Sequence, residues 1–199
     1  MVSIQLIDPS RTTGFGVNSQ VFSLDYLEIR RHQKSLERIG AYIAGATVNM
    51  TIDGRARRFT GAYVTDEFLE VLGIRPLLGR DFEPADNQPG APKVAIISHE
   101  LWQRDFGGRD DVLGKSVRLN GKPATIVGVM DRGFAFPINE QLWIPLFNEY
   151  PPPARNDQNA SGNWVNILGA LAPGVSLDAA NAEYAAIAQR LAASYPDTN

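Results

Sequence analysis

The sequence contains no cysteine, which excludes disulfide bonds, thiolate catalysis and zinc sites with cysteine ligands. An oxidising compartment is still permitted, because no thiol can mispair there. The only histidines, His32 and His99, lie far apart in the sequence and argue against a histidine-rich metal site. No apolar run reaches the roughly 18–20 residues of a membrane-spanning helix, and Asp8 and Pro9 interrupt the apolar stretch that could serve as a signal peptide. We therefore expect a soluble chain.

Neither sign of charge dominates, since 19 basic and 22 acidic side chains give a formal net charge of −3. No basic face is available to neutralise many phosphates, so nucleic-acid binding is not expected. The 199 residues are 44% hydrophobic and 21% charged, an ordinary globular composition. That length accommodates one sizeable core or two small ones.

Turn dipeptides predict two β-hairpins. Asp53-Gly54 and Asn120-Gly121 tolerate the positive φ angles of a two-residue turn. The predicted strands around these turns are residues 48–52 and 59–64, and residues 117–119 and 125–130. Pro123 favours an edge position at the start of the last strand, because proline lacks a backbone N–H. Further strands are predicted over residues 2–6, 94–97 and 165–171, with a surface connection over residues 79–92 and a linker over residues 151–162.

Serines placed before apolar periodic runs predict the starts of three helices, at Ser23, Ser98 and Ser176. The first helix is expected to extend to Leu36 and Ile39. Residues 68–72 predict a short fourth helix, which Gly73 ends. The buried face of the last helix is predicted to comprise Leu177, Ala180, Tyr184, Ile187, Ala188 and Leu191.

Two basic clusters stand out. Arg30, Arg31, Lys34 and Arg38 are expected in the first helix as a solvated face, with docking of an acidic partner as the less favoured interpretation. Arg55, Arg57 and Arg58 follow the first hairpin turn, where charge on an exposed strand deters edge-to-edge association.

Candidate catalytic and ligand-binding groups are few. Ser98, His99 and Glu100 are adjacent, so their side chains cannot form the chained hydrogen bonds of a catalytic triad. Asp105, Asp110 and Asp111 lack the ligand spacing of a calcium loop. We therefore predict no catalytic residue, no cofactor-binding residue and no metal ligand. The glycine pairs 14–16 and 107–108 lack a phosphate-loop pattern, and Trp102, Trp143 and Trp164 are expected in the core.

An ordered set of motifs resembles the periplasmic core domain of MacB-like ABC transporter permeases, of the FtsX/MacB type. The longest is residues 64–82 (VTDEFLEVLGIRPLLGRDF), followed by residues 94–102 (VAIISHELW) with Arg104 and Phe106. Shorter matches are residues 23–27 (SLDYL), 35–37 (SLE), 113–115 (LGK), 119–121 (LNG), 126–129 (IVGV) and 142–146 (LWIPL). The chain looks most similar to the long-permease branch of the family.

The resemblance implies an α+β fold of two lobes. One is a porter-like β-α-β lobe from residues 1–65 and 154–199, and the other is a sabre-like mixed α/β lobe inserted at residues 66–153. It also implies a non-catalytic domain outside the cytoplasmic membrane, between two transmembrane helices, which relays the motion of a nucleotide-binding ATPase for efflux or export. Implied partners are those helices, the ATPase and a periplasmic adaptor or substrate protein.

Two alternatives remain open from the residues alone. A stand-alone periplasmic ligand-binding module requires a deep pocket with convergent polar groups, and a hydrolase requires Ser98 and His99 to meet an oxyanion donor. We also expect an excised module whose porter-like lobe lacks the strand after its final helix.

Overall fold

The structure, a computed structural model, describes residues 2–4, 12–13, 16–17, 21–154 and 162–195. It is a mixed α/β fold with many strands and few helices. The strands are β1 Val2–Ile4, β2 Thr12–Thr13, β3 Gly16–Val17, β4 Val21–Phe22, β5 Leu36–Ile52, β6 Arg55–Val64, β7 Leu78–Gly79, β8 Val94–Ile97, β9 Ser116–Leu119, β10 Lys122–Val129, β11 Leu142–Pro145 and β12 Trp164–Leu171. The helices are α1 Ser23–His32, α2 Phe68–Leu72, α3 His99–Phe106, α4 Leu146–Glu149 and α5 Leu177–Ser194, and Asp110–Val112 forms a 3-10 turn. Among the described residues, no helix is both long enough and apolar enough to cross a bilayer.

The chain divides into two compact units. The first unit comprises residues up to Ala41 and from Pro152 onward, and the second unit comprises Tyr42–Pro151. The hairpin residues 42–65 thus group with the second unit. The assignment of a porter-like and a sabre-like lobe, with boundaries after residues 65 and 153, stays a prediction.

In the first unit, β12 is the central strand. It pairs antiparallel with β1 through Val2 and Gly169 and with β4 through Phe22 and Trp164, and it neighbours β5 in the sheet. Gly169 permits the close approach to β5, because a Cβ atom there would lie 2.2 Å from Leu36 Cδ1. The predicted cap of α5 is confirmed, since Ser176 Oγ accepts a hydrogen bond from Ala179 N–H at 3.1 Å. The buried residues of α5 are Ala180, Tyr184, Ile187 and Leu191.

Three predictions for the first unit are wrong. Helix α1 ends at His32, so Leu36 and Ile39 lie in β5. Pairing with β12 overrides the helical spacing of these two residues, and the Gln33 side chain stabilises the turn by accepting from Leu36 N–H at 2.8 Å. Ser23 is the first residue of α1 and not its cap. Leu177 is 53% exposed, because it lies at the very start of α5.

The second unit contains a closed six-stranded barrel in the order β5, β6, β11, β8, β10 and β9, with β9 pairing again with β5. The closing pairs are Met50 with Leu119 and Thr51 with Arg118. The β6–β11 and β8–β10 pairs are parallel, and the other pairs are antiparallel. The strands carry fully buried apolar side chains, and packing is close, since a Cβ atom on Gly61 would lie only 3.0 Å from Val48 Cγ2. These buried residues include Val48, Met50, Ile96, Ile126 and Leu142. The barrel is therefore a packed core and not a channel.

Both predicted hairpins are confirmed. Asp53 and Asn120 each have φ of +48°, and the glycines that follow them have φ of +78° and +82°. Gly73 ends α2 with φ of +70°, and Ser98 caps α3 by accepting from Leu101 N–H. Pro123 lies in the part of β10 that pairs with β9, and the pairing of β10 with β8 begins only at Thr125. For the pairs described, the predicted edge position of Pro123 is therefore confirmed.

Residues 79–92 were predicted as a surface connection, and that interpretation is wrong for three of them. Phe82, Asp86 and Asn87 are buried, and β7 pairs with β10 at the start of this segment. The predicted first strand extends to residue 6 and the predicted linker to residue 162. Residues 5–6 and 155–161 lie outside the described part of the chain.

Candidate functional site

Ser98, His99 and Glu100 point to three different partners. Ser98 is 2% exposed and its Oγ accepts the Leu101 N–H at 3.1 Å, so the hydroxyl serves as a helix cap. The His99 ring meets the ring of Trp102 edge to face at 5.4 Å. Glu100 Oε1 accepts the Gly133 N–H at 3.2 Å. Glu100 also interacts with the other two residues: burial would raise its pKa, but hydrogen bonds, including one from the Ser98 side chain, and the His99 charge lower it. The His99 ring faces Trp102 and not the Ser98 hydroxyl, so the contacts described do not order the three side chains as nucleophile, base and acid.

The acidic residues near the end of α3 are likewise dispersed. Asp105 is nearly buried and pairs with Arg57 and Arg104, and Asp111 pairs with Arg109. Over the described ranges, no cluster of three or more histidine, aspartate or glutamate side chains is arranged to hold a metal ion. The interpretation of these acids as solvated is wrong for Asp105, whose side chain is 4% exposed.

Gly107 and Gly108 form a helix end and not a phosphate loop. Their φ angles are +67° and +65°, and the Gly108 N–H donates to the carbonyl of Trp102, as expected at the carboxyl end of a helix. Anion-binding glycine loops require the opposite end of a helix. Gly16 lies in β3, and residues 14–15 lie outside the described part of the chain.

Two of the three tryptophans are core residues, as predicted. Trp102 and Trp143 are 8% and 0% exposed, and their indole N–H groups donate to backbone carbonyls at 2.8 and 2.9 Å. The prediction for Trp164 is wrong, because this residue is 38% exposed. Its ring stacks on Phe22 at 3.8 Å, where β12 pairs with the short strand β4.

The first basic cluster is split between three elements. Arg30 and Arg31 lie in α1, Lys34 lies in the turn after it, and Arg38 lies in β5. The prediction of one basic helical face is therefore wrong. Arg31 and Lys34 are exposed, as a solvated face requires.

A buried polar network, which the sequence did not reveal, holds residues 80–93 against α4. The Asn87 side chain donates to Asp66 Oδ1 at 3.0 Å and accepts the Phe147 N–H at 2.9 Å. Asn148 donates to the carbonyls of Asp86 and Ala91, both at 3.0 Å. The sequence does contain one signal for such a network, namely amide side chains within a proline-rich segment. Buried backbone groups in such a segment need side-chain partners.

An acidic group adjoins this network. Burial raises the pKa of Asp81 to about 6, and the Glu70 and Asp66 carboxylates add to the shift, although a backbone hydrogen bond from Phe82 opposes it. That hydrogen bond joins Phe82 N and Asp81 Oδ1 at 2.7 Å. Asp81 thus titrates near neutral pH, where most aspartates are fully ionised.

A second buried carboxylate supports the barrel wall. Glu140 is 1% exposed and accepts the Gly45 N–H at 3.0 Å and the Ile138 N–H at 2.6 Å. Gly45 lies in the irregularity of the β5–β6 register between Ile43 and Ala46, with φ of +67°. Glu140 thus satisfies a backbone donor that the bulge removes from the strand ladder.

In the first unit, Glu183 of α5 binds the turn between α1 and β5. Its two carboxylate oxygens accept the Lys34 and Ser35 N–H groups, each at 2.9 Å. Burial would raise the pKa of Glu183, but hydrogen bonds from Ser35 and Lys34 and the Lys34 charge outweigh burial and lower it. We call this three-residue arrangement the Glu183 clamp. Like Asn148 and Glu140, Glu183 holds backbone groups in place through hydrogen bonds.

Comparison with known proteins identifies the family of the chain. The model of the MacB-like periplasmic core domain family matches residues 2–187. A probable export ATP-binding/permease protein of Pseudomonas fluorescens (strain Pf0-1) is 29% identical over 85 residues, which are 41% of this chain and 13% of that protein. The match thus covers a small part of that relative's length.

Solved structures share the fold. The periplasmic region of MacB from Actinobacillus actinomycetemcomitans superposes with a TM-score of 0.64 at 13% identity, covering 89% of this chain and 77% of that one. The extracellular domain of the noncanonic ABC-type transporter YknZ from Gram-positive bacteria gives 0.64 at 15% identity, with coverage of 98% and 93%. A domain of a permease protein from Porphyromonas gingivalis gives 0.64 at 23% identity, with coverage of 87% and 79%. The family match over residues 2–187 shows that the chain belongs to the MacB-like periplasmic core domains of ABC transporter permeases.

Proposed function

We propose that this domain is a non-catalytic mechanical relay on the extracytoplasmic side of an ABC transporter, passing ATP-driven motion of the permease outward for efflux or export. The observation that carries the proposal is the Glu183 clamp, read together with family membership. The side chains of Asn148, Glu140 and Glu183 hold backbone groups, which suits units that keep their internal geometry while they move. The proposed partners are two flanking transmembrane helices, a nucleotide-binding ATPase and a periplasmic adaptor or substrate protein.

The first unit contains a continuous route for such motion. Strand β1 pairs with β12, and β12 leads into α5 through a short turn. The Glu183 clamp joins α5 to the start of β5, and β5 continues to Ile52 in the second unit. A displacement applied at β1 or at α5 would therefore reach the same strand. We propose β5 as the element along which the motion travels.

We also propose the two-lobe arrangement, with a porter-like lobe over residues 1–65 and 154–199 and an inserted sabre-like lobe over residues 66–153. The compact units support an inserted body, because the second unit is one continuous segment within the first.

The gene around this segment tests the proposal. We expect it to encode one transmembrane helix on each side, and we expect the complete product, purified from membranes, to associate with a nucleotide-binding ATPase. A secretion signal with no membrane helix on either side would overturn the relay and favour a stand-alone ligand-binding module.

A further inference from the structure

The barrel carries an unusual concentration of arginine at one end. Arg55, Arg57 and Arg58 lie on β6 directly after the hairpin turn, and Arg104 lies on α3 with its guanidinium 5.7 Å from the ring of Phe59. We call these four residues the arginine edge. All three arginines of β6 are exposed, as is Ala56 between them, so both faces of the strand meet solvent here.

The arginine edge is only partly neutralised. The Asp105 carboxylate pairs with Arg57 and Arg104, whose side chains are 51% and 52% exposed. Arg55 and Arg58 form no ion pair with any residue that the structure describes. Asp53 in the hairpin turn adds a second, exposed carboxylate, so four cations against two carboxylates leave a net positive edge on a chain whose formal charge is −3.

This end of β6 also has an edge without a strand partner among the pairs described, although α3 contacts it through Asp105 and Arg104. Strand β11 pairs with β6 only at residues 61–64, whereas β5 pairs with β6 from Arg55 to Val64. For the strand pairs described, residues 55–59 are therefore paired on the β5 side only. An unpaired strand edge is a template for an added strand.

We infer that the arginine edge binds an extended acidic segment of a partner protein, which adds to β6 as a further strand. Side chains of a strand alternate between faces, so Arg55 and Arg57 lie on one face and Arg58 on the other. Acidic residues on the added strand would meet arginine on either face. A second copy of this edge would bring like charges together, so the same arginines oppose self-association. This inference does not depend on the proposed relay, because it concerns the barrel alone.

A designed peptide tests the inference on the 199-residue chain. The probe is a fluorescent peptide of six Glu-Thr repeats, measured by anisotropy at low salt, and anionic phospholipid vesicles are measured in parallel. We expect saturable binding that weakens with salt, and hydrogen exchange should slow at residues 55–59 when the peptide binds. A Lys-Thr peptide of the same length should not bind.

Variants identify the surface. Arg55→Glu and Arg58→Glu should each raise the peptide Kd about fivefold or more, and neither change breaks an ion pair with a residue in the described ranges. Arg75→Glu is the matched control, because Arg75 is exposed and precedes β7, and its Kd should stay within about twofold.

Four outcomes would overturn the inference: no saturable peptide binding, equal loss with Arg75→Glu, binding without protection of residues 55–59, or arginine-dependent binding to vesicles and not to the peptide. Concentration-dependent dimerisation that Arg55→Glu abolishes would also overturn it, by showing a second copy at this edge.

Discussion

Replacing Asn87 should reveal how much of the barrel's stability depends on the buried polar network. Asn87 is 4% exposed, and its side chain is both a donor to Asp66 and the acceptor of the Phe147 N–H. Asn87→Ala removes both hydrogen bonds at once. Asp66, which is 8% exposed, thereby loses its amide donor.

The magnitude follows from the two partners that lose Asn87. A buried group that loses its hydrogen-bond partner costs about 1–3 kcal/mol, with the larger values for charged groups. Loss of the donor to Asp66 and of the acceptor for Phe147 therefore predicts a decrease of about 3–5 kcal/mol in the free energy of unfolding. The neighbouring Gln88→Ala should cost less than about 0.5 kcal/mol, because Gln88 is exposed and its side chain makes one long hydrogen bond, to the Pro84 carbonyl at 3.3 Å, among the residues described.

Urea-induced unfolding of the three proteins, followed by tryptophan fluorescence, measures the difference directly. The reasoning is refuted if Asn87→Ala unfolds within about 0.5 kcal/mol of the unmodified chain at an unchanged m-value. Residues 80–93 would then be held by the Asn148 hydrogen bonds, the ion pairs of Arg80 and Lys93, and burial of Phe82, without a contribution from Asn87.

Three further changes probe other parts of the molecule by the same unfolding assay. Trp102→Ala should cost about 3–5 kcal/mol because it leaves a cavity, whereas Trp164→Ala should cost less than about 1 kcal/mol; equal costs would contradict the burial of Trp102. The Asp81 pKa of about 6 lies above the ordinary 3.8, so the stability associated with protonated Asp81 is complete below pH 3.8 and is lost as the pH rises through 6. Asp81→Asn should therefore stabilise the protein by about 1–2 kcal/mol at pH 8, allowing for solvent screening, and have no effect near pH 3.5; the same gain at both pH values would contradict this. Tyr184→Phe should leave stability unchanged or raise it by about 1 kcal/mol, because the buried hydroxyl has no hydrogen-bond partner within the part of the chain that the structure describes, and a loss above 1 kcal/mol would reveal a partner for it.

The elements that the sequence predicted well are those set by local chemistry. Asp53-Gly54 and Asn120-Gly121 adopt positive φ because few other residue pairs do so at low cost, and Gly73 ends α2 for the same reason. Ser98 and Ser176 cap helices through hydrogen bonds to residues three positions later. None of these features needs a contact that is distant in the sequence.

The features that could not be predicted depend on distant partners. Leu36 has helical spacing from the residues of α1, yet it lies in β5, where it packs against Gly169. Closure of the barrel joins Asn49 to Asn120, 71 positions away. Single-sequence patterns report the periodicity of a segment but not the strand that will pair with it.

The candidate site shows the same division. The sequence indicated that Ser98, His99 and Glu100 would not act together, since adjacent residues project in different directions. It did not indicate the Glu183 clamp, because a glutamate in the first half of an amphipathic helix looks like any solvated side chain. Only the fold brings Glu183 within 2.9 Å of two backbone donors 148 and 149 positions away.

The central claim, that this domain transmits ATP-driven motion, is tested most directly by measuring a distance within the assembled transporter. Because this chain has no cysteine, spin labels can be placed on it at Ala186→Cys in α5 and at Thr47→Cys in the barrel, both exposed positions. Pulsed electron spin resonance on the transporter in lipid nanodiscs then compares the nucleotide-free and ATP-bound states. The relay predicts that ATP shifts the distance distribution between the labels, or between either label and a label on the membrane part, and that Glu183→Ala reduces the shift while Gln189→Ala, also on α5, does not. Distributions that are identical with and without ATP for every label pair would contradict the claim.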